Sequence, residues 1–308
     1  MRIHHLDCVT SCPLGGLLMD GRSQSLRGRL ACHCLLVEDG RNLILVDTGY
    51  GLRDVAAPRS RLSPFFLALL APELREEMTA IRQIEALGFD ARDVRHIVLT
   101  HLDFDHAGGL DDFPHATVHM LAAERQAAMA RRTTLDRMRY RPEQWSTSAS
   151  WRTYEVGTGD AWFGFGRVRA LDGITSDVAL VPLVGHTFGH AGVAVRRDEG
   201  WLLLAGDAYF YHREMDLERP RCTPGLRLYQ TMMEKDRSAR LRNQRRLRAL
   251  VREHGTEVAV VSSHDRYEFE QYAGRPLDVP AGSAAVAKRA TAPGANGGAS
   301  WPAPVPSP

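Results

Sequence analysis

The 308 residues are 44% hydrophobic and 25% charged, the balance of a folded globular chain long enough to bury a substantial core. A formal net charge of +2 excludes any composition-level case for nucleic acid or an acidic membrane as partner. No apolar run reaches the ~20 residues of a membrane helix, and the opening MRIHHLDCVTSCPLGG lacks the basic-then-apolar pattern of a secretory leader.

Ile3–Cys8, Cys32–Glu38 and Leu43–Asp47 read as strands, and Glu38-Asp39-Gly40-Arg41 carries hairpin turn chemistry between the last two. Five cysteines (Cys8, Cys12, Cys32, Cys34 and Cys222) leave an odd count, so reduced thiols and a cytoplasmic location are expected. Cys32 and Cys34 alternate on a strand and lack a second pair, so they read as packing residues rather than ligands. Leu62–Leu70 (LSPFFLALL) is strongly apolar and offers a helix packed on the body, an acyl-chain pocket wall or a dimer contact. Met78, Ile81, Ile84 and Leu87 share one helical face, predicting a helix over Glu76–Leu87 with Gly88 as its stop.

Arg95–Thr100 reads as a buried strand, and a short strand and helix follow from Ala116 to about Ala130. Tyr140–Tyr154 is polar with scattered aromatics and is a second candidate pocket wall. Strands are predicted over Arg167–Leu171, Val178–Val184, Ala191–Arg197, Trp201–Ala205 and Val258–Val261, with a basic helix over Ser238–His254. The arginines of that helix read as its wet face, because Leu241, Leu247, Leu250 and Val251 supply one buried side. Strands alternating with helices in both halves predict an α/β class with each half contributing a helix-faced sheet. Residues 1–280 form the expected domain. From about Ala281 the chain is Ala, Gly, Pro and Ser with few large apolar groups, and 281–308 is expected to be a disordered tail.

The chemistry concentrates in Thr100-His101-Leu102-Asp103-Phe104-Asp105-His106-Ala107-Gly108-Gly109, immediately after a predicted buried strand. On extended backbone, positions two apart face the same side, so His101 and Asp103 are placed to grip one ion. The turn that follows aims Asp105 and His106 at a second. Histidine and carboxylate without thiolate suit zinc, manganese or iron. Three more candidates stand where later strands stop: His186 in GHTFGH, Asp207 in LAGDA and His264 in VSSHD. A lone histidine after a strand is usually a surface or satisfied core residue, and Gly-Asp usually marks a turn. The ordered set HxDxDH, GHTxGH, GDA and SHD, each at a strand exit, outweighs that reading.

These motifs resemble the metallo-β-lactamase superfamily over about Met1–Leu277, and Asp47-Thr48-Gly49 is similar to a turn the family carries on an early strand. The resemblance implies a four-layer αββα sandwich and a dinuclear hydrolase, with acyl-homoserine-lactone lactonases as the most similar members. It implies a first metal site of His101, Asp103 and His186, a second of Asp105, His106 and His264, and Asp207 bridging both. His190 and His212 match no ligand position. The implied reaction is cleavage of a lactone or other carboxylic ester by a metal-bridging hydroxide. Asp105 would orient the nucleophilic water and carry its proton. Tyr209 or Tyr211 would donate to the developing oxyanion, although the lactonase tyrosine falls at the position of Phe210.

One position departs from the family pattern. Most of these hydrolases carry His where this chain has Asp103. The added carboxylate would cancel the single positive charge of the usual core. A neutral core would acidify its water less and tolerate manganese or iron beside the zinc expected of two divalent ions. The implied partner is a small-molecule ester or lactone, with neither nucleic acid nor membrane, and a homodimer is compatible. A non-catalytic metal-binding or sensing module, and a phosphoesterase or nuclease of the same superfamily, are the alternatives.

Overall fold

The computed structural model describes residues 1–40, 42–147, 150–157 and 159–283. The first sheet holds β1 (Arg2–Asp7), β2 (His33–Asp39), β3 (Asn42–Val46), β4 (Val94–Val98), β5 (Thr117–Leu121) and β6 (Ser150–Tyr154), side by side in chain order. β1 to β3 meander antiparallel, with Gly40 at φ 62° turning the β2–β3 hairpin, and β3 to β6 run parallel. The second sheet contains β7 (Asp160–Trp162), β8 (Phe165–Ala170), β9 (Val178–Pro182), β10 (Ala191–Arg196), β11 (Trp201–Leu204) and β12 (Val258–Val261). Its order is β12-β11-β10-β9-β8-β7, parallel only between β11 and β12.

Side-chain alternation builds the layers. On β3, Ile44 and Val46 join Val193, Val195, Leu202 and Leu204 in the core between the sheets. Leu43 and Leu45 point the other way, against Ala80 and Ile84 of the helix Ala80–Ala86. On the far side, Leu203 and Val260 meet Leu247, Leu250 and Val251 of the helix Arg237–His254. Helices thus cover both outer faces, giving the αββα sandwich. Arg242 and Arg245 of that last helix are exposed, while Arg240 is buried and bonded to Glu234 at 2.6 Å. Among the described residues, no helix is long and apolar enough to cross a membrane.

Several elements differ from the sequence reading. The predicted helix over Glu76–Leu87 is a 3-10 turn, Glu76–Met78, and then the helix Ala80–Ala86, because extended Thr79 interrupts it. Leu62–Leu70 becomes the helix Pro64–Leu70, with Leu62, Phe66 and Leu70 in an apolar cluster that also holds Tyr50, Phe104, Phe210 and Tyr229. Tyr140 and Trp145 enter the core beside the first sheet, and Ser150–Tyr154 is the edge strand β6, too polar in pattern to read as one. The expected tail boundary also moves. Ala281 is buried and its N–H donates to Gln83 Oε1 at 2.9 Å, so the docked chain continues past it. Residues 284–308 of that expected tail lie outside the described residues.

Candidate metal centre

Parallel strands end their backbone pairing at one rim, where polar residues can gather without breaking the apolar core. Asp47 follows β3, His101 follows β4, His186 follows β9, Asp207 follows β11 and His264 follows β12. Two ligand groups form there, His101, Asp103, His186 and Asp207, then Asp105, His106 and His264, with ligand atoms within 4.8 Å of one another in each. All seven residues are buried.

The two oxygens of Asp207 divide between the groups. Oδ2 lies 3.3 Å from His186 Nε2 and 3.8 Å from His101 Nε2. Oδ1 lies 3.2 Å from His106 Nε2 and 3.1 Å from His264 Nε2. Asp103 Oδ2 completes the first group at 3.1 Å from His186 Nε2 and 3.4 Å from His101 Nε2. Asp105 flanks the second, with Oδ2 at 3.7 Å from His264 Nε2 and Oδ1 at 4.0 Å from His106 Nε2. Separations of this size are the edges of a coordination shell with ~2.0–2.2 Å bonds.

Hydrogen bonds on the outer ring nitrogens fix which nitrogen faces inward. His264 Nδ1 donates to the Ala31 carbonyl at 2.7 Å. His106 Nδ1 donates to Asp47 Oδ2 at 2.8 Å. Thr100 Oγ1 donates to the same oxygen at 2.8 Å, which leaves it to accept from His101 Nδ1 at 3.0 Å. Each Nε2 therefore presents a lone pair to the centre. The Nε2 atoms of His106 and His264 face each other at 3.3 Å, a contact that a proton on one of them satisfies and that a metal ion can replace. His101 Nε2 in the first group and Asp207 Oδ1, which faces the second, are buried with no hydrogen-bond partner among the described residues. Burial opposes charge on His106, yet the carboxylates of Asp207, Asp47 and Asp105 lift it well above its ordinary range. The cluster thus attracts positive charge. The second group fits a metal ion, and the first offers a matching donor set in which His186 Nε2 is shared with Arg139 Nη2 at 2.8 Å.

Supporting groups come from elsewhere in the chain. Glu124 accepts from the Leu102 N–H at 3.0 Å, Thr187 Oγ1 at 2.5 Å and the Gly189 N–H at 3.2 Å, tying the HxDxDH loop to the GHTFGH loop. Gly189 is required there, since a Cβ would fall 2.1 Å from the Glu124 nitrogen. His190 uses both ring nitrogens outside the centre. Nδ1 donates to the Leu183 carbonyl at 3.0 Å, and Nε2 accepts the Asp207 N–H at 2.9 Å, so it positions Asp207. Cys32 Sγ donates to the Asp105 carbonyl at 2.9 Å, and among the described residues all five cysteines are free thiols.

The most consequential group that the motifs did not reveal is Arg139, fully buried at the end of the helix Thr134–Arg139. Its Nε donates to Asp103 Oδ1 at 2.6 Å and its Nη2 to Asp103 Oδ2 at 2.5 Å. Burial alone would raise the Asp103 carboxyl, but the Arg139 charge holds it well below its ordinary range. The expectation of an electrically neutral core therefore needs correction, because Arg139 compensates the carboxylate that Asp103 adds.

The two tyrosines expected at the oxyanion are placed elsewhere. The Tyr209 hydroxyl donates to Glu268, at 2.9 and 3.1 Å from its two carboxylate oxygens, in the core beside the second sheet. Tyr211 packs over Gly21 and His212, among the charges of Arg213, Asp265 and Asp20. Phe210 turns inward instead, stacked on His264 at 4.9 Å between ring centroids and edge-on to Tyr229 at 5.6 Å. Tyr229, from the helix Pro224–Met233, is raised well above its ordinary range, first by burial and then by Asp105, Asp207 and Asp103. Tyr50, also buried, is raised in the same way, first by burial and then by Asp105, and no local motif marks either tyrosine.

The fold and this centre define a metal-dependent hydrolase architecture. Residues 27–264 match the family model described as the metallo-beta-lactamase superfamily, and the chain belongs to that superfamily. The probable metallo-hydrolase Rv2300c of Mycobacterium tuberculosis is 41% identical over 266 residues, 86% of this chain and 80% of that protein. An N-acyl homoserine lactonase of Bacillus cereus is 26% identical over 188 residues, 61% of this chain and 67% of that one. Among solved structures, an N-acyl homoserine lactone hydrolase with N-hexanoyl-L-homoserine at its catalytic metal centre superposes with a TM-score of 0.66 at 20% identity. That match covers 87% of this chain and 95% of the other.

Proposed function

We propose that the chain is a dinuclear metal-dependent hydrolase that cleaves a lactone or another carboxylic ester. The observation that carries this reading is Asp207, whose two oxygens face two separate histidine groups at 3.1–3.8 Å. His101, Asp103 and His186 would hold one ion, Asp105, His106 and His264 the other, and Asp207 both. Two divalent ions, zinc by the imidazole-rich donor set and manganese or iron by the carboxylates, supply Lewis acidity and a water activated at neutral pH.

The chain's own residues do the rest. Asp105 stands at the edge of the second group, where its carboxylate takes the proton of the attacking water and returns it to the leaving oxygen. Tyr229 donates to the developing oxyanion, the role first expected of Tyr209 or Tyr211. Phe210, Phe66, Phe104 and Tyr50 pack into one buried apolar cluster that keeps water from that flank of the centre. The lactone relatives support this substrate class, and the reaction needs no macromolecular partner.

Metal analysis of the purified protein, paired with a panel of lactones, esters, thioesters and phosphoesters, tests the reading. The expected result is two ions per chain and turnover of the carboxylic substrates, abolished by chelation. Full metal loading with no hydrolysis in the panel would favour a metal-binding module, and turnover confined to phosphoesters would overturn the substrate class.

A further inference from the structure

Asp103 is not a free carboxylate. Both of its oxygens are taken by the two-pronged guanidinium of Arg139, at 2.6 and 2.5 Å, the geometry in which an arginine–carboxylate pair is strongest and most rigid. The arginine is itself clamped. Nη1 donates to the Met233 carbonyl at 2.8 Å, and the guanidinium carbon lies 5.5 Å from the centroid of the Tyr140 ring. With no solvent exposure and anchors on two helices, this cation has no route away from the centre.

Charge and geometry give the pair a combined role. Asp103 Oδ2 faces both His101 and His186, so it is the oxygen available to an ion in the first site. A carboxylate there in place of a neutral imidazole subtracts one positive charge, and Arg139 restores it. Arg139 Nη2 also lies 2.8 Å from His186 Nε2, a nitrogen with a single lone pair, so guanidinium and ion compete for that imidazole.

We propose that Asp103 and Arg139 form one electroneutral unit in place of a neutral ligand, with Arg139 as the positioning residue that holds Asp103 on the first metal site and sets the charge of the centre. The two positions are interdependent. Histidine at 103 beside an unchanged Arg139 leaves a buried cation facing an imidazole and a divalent ion, with its paired carboxylate gone and only the more remote Glu124 acting on it. Histidine is then accepted only when the arginine is removed as well. The proposal rests on the reading of Asp103 as a ligand in the first site.

The test compares Asp103→His, Arg139→Met and the double variant with the parent, full-length throughout. Metal per chain is measured after equilibration with zinc, and cobalt(II) absorption reports the coordination of each site. Asp103→His is expected to retain one ion and bind the second at least about tenfold more weakly, because an uncompensated unit charge stands within a few ångströms of a divalent ion. The double variant is expected to recover the second ion and its cobalt spectrum. If Asp103→His fails to fold, Asp103→Asn against Asp103→Asn with Arg139→Met gives the same comparison with a smaller change, the double again holding more metal. A single Asp103→His variant that binds two ions as tightly as the parent would overturn the proposal, as would a double variant no better than its single parent. If Asp103→Asn keeps both ions at full affinity, the ligand reading falls and takes the proposal with it. If Asp103→Asn loses an ion while the doubles fail to recover it, only the pairing falls.

Discussion

Asp47 touches no ion position, yet it should govern metal affinity. Its Oδ1 accepts the Thr100 N–H at 2.8 Å, and its Oδ2 accepts both Thr100 Oγ1 and His106 Nδ1 at 2.8 Å. All three neighbours are donors, so a carboxylate satisfies them and an amide cannot. In Asp47→Asn, one orientation sets the new NH2 against the Thr100 N–H. The other sets it against His106 Nδ1 and drives that proton to Nε2, the nitrogen that must face the ion. Asp47 has φ 54°, a left-handed conformation that Asn tolerates better than most residues, so backbone strain is nearly unchanged and the side-chain effect is isolated. A buried donor left without an acceptor costs about 1–3 kcal/mol. With about 1.4 kcal/mol per decade, affinity at the second site should fall roughly ten- to a hundredfold. Zinc titration by calorimetry, with metal content after dialysis as a check, reads this directly. An Asp47→Asn protein that binds both ions with parental affinity would show that histidine tautomers are not set by this carboxylate.

Tyr229→Phe should keep both metals and lower kcat by about tenfold or more, with KM little changed; unaltered turnover would remove the hydroxyl from the reaction. A chain ending at Ser283 should melt with the full-length protein, whereas one ending at Pro280 loses the Ala281 N–H bond to Gln83 and should melt a few degrees lower, roughly 1 kcal/mol. Equal melting of the two truncations would show that Ala281 is not docked in solution. Burial brings His33 and His119 from an ordinary 6.5 down to about 3 in the fold, so the unfolded chain binds more protons between these values. Stability of the chelator-treated protein should fall as pH drops below about 6.5, and His119→Gln should flatten the decline; a parallel profile would refute the contribution of this histidine.

The candidate ligands were legible in the sequence because each lies in a short motif at a strand exit. Local spacing places His101 and Asp103 on one side, and the buried runs before His186, Asp207 and His264 mark where strands stop. The sandwich was legible for a similar reason, since strand alternation and helix period are local signals. Edge strands β6 and β7 were missed because a half-exposed edge carries little apolar pattern.

Tertiary structure alone decided the rest. Nothing in the run RRTTLDRMRYR distinguishes Arg139 from Arg137 or Arg141, yet only Arg139 is buried against Asp103, 36 residues away. Nearness in the chain to Asp207 suggested Tyr209 and Tyr211. On the extended backbone that starts at Tyr209 (φ −152°, ψ 168°), alternate residues point apart, so Phe210 faces the centre while Tyr209 and Tyr211 face away from it. Tyr229, from the helix Pro224–Met233, packs its ring edge-on against Phe210 and so joins the same cluster from a distant part of the chain. Candidate ligands stand in short segments and can be picked out from them. The charge and hydrogen bonds around those ligands are set by residues distant in the chain, which only the folded packing brings together.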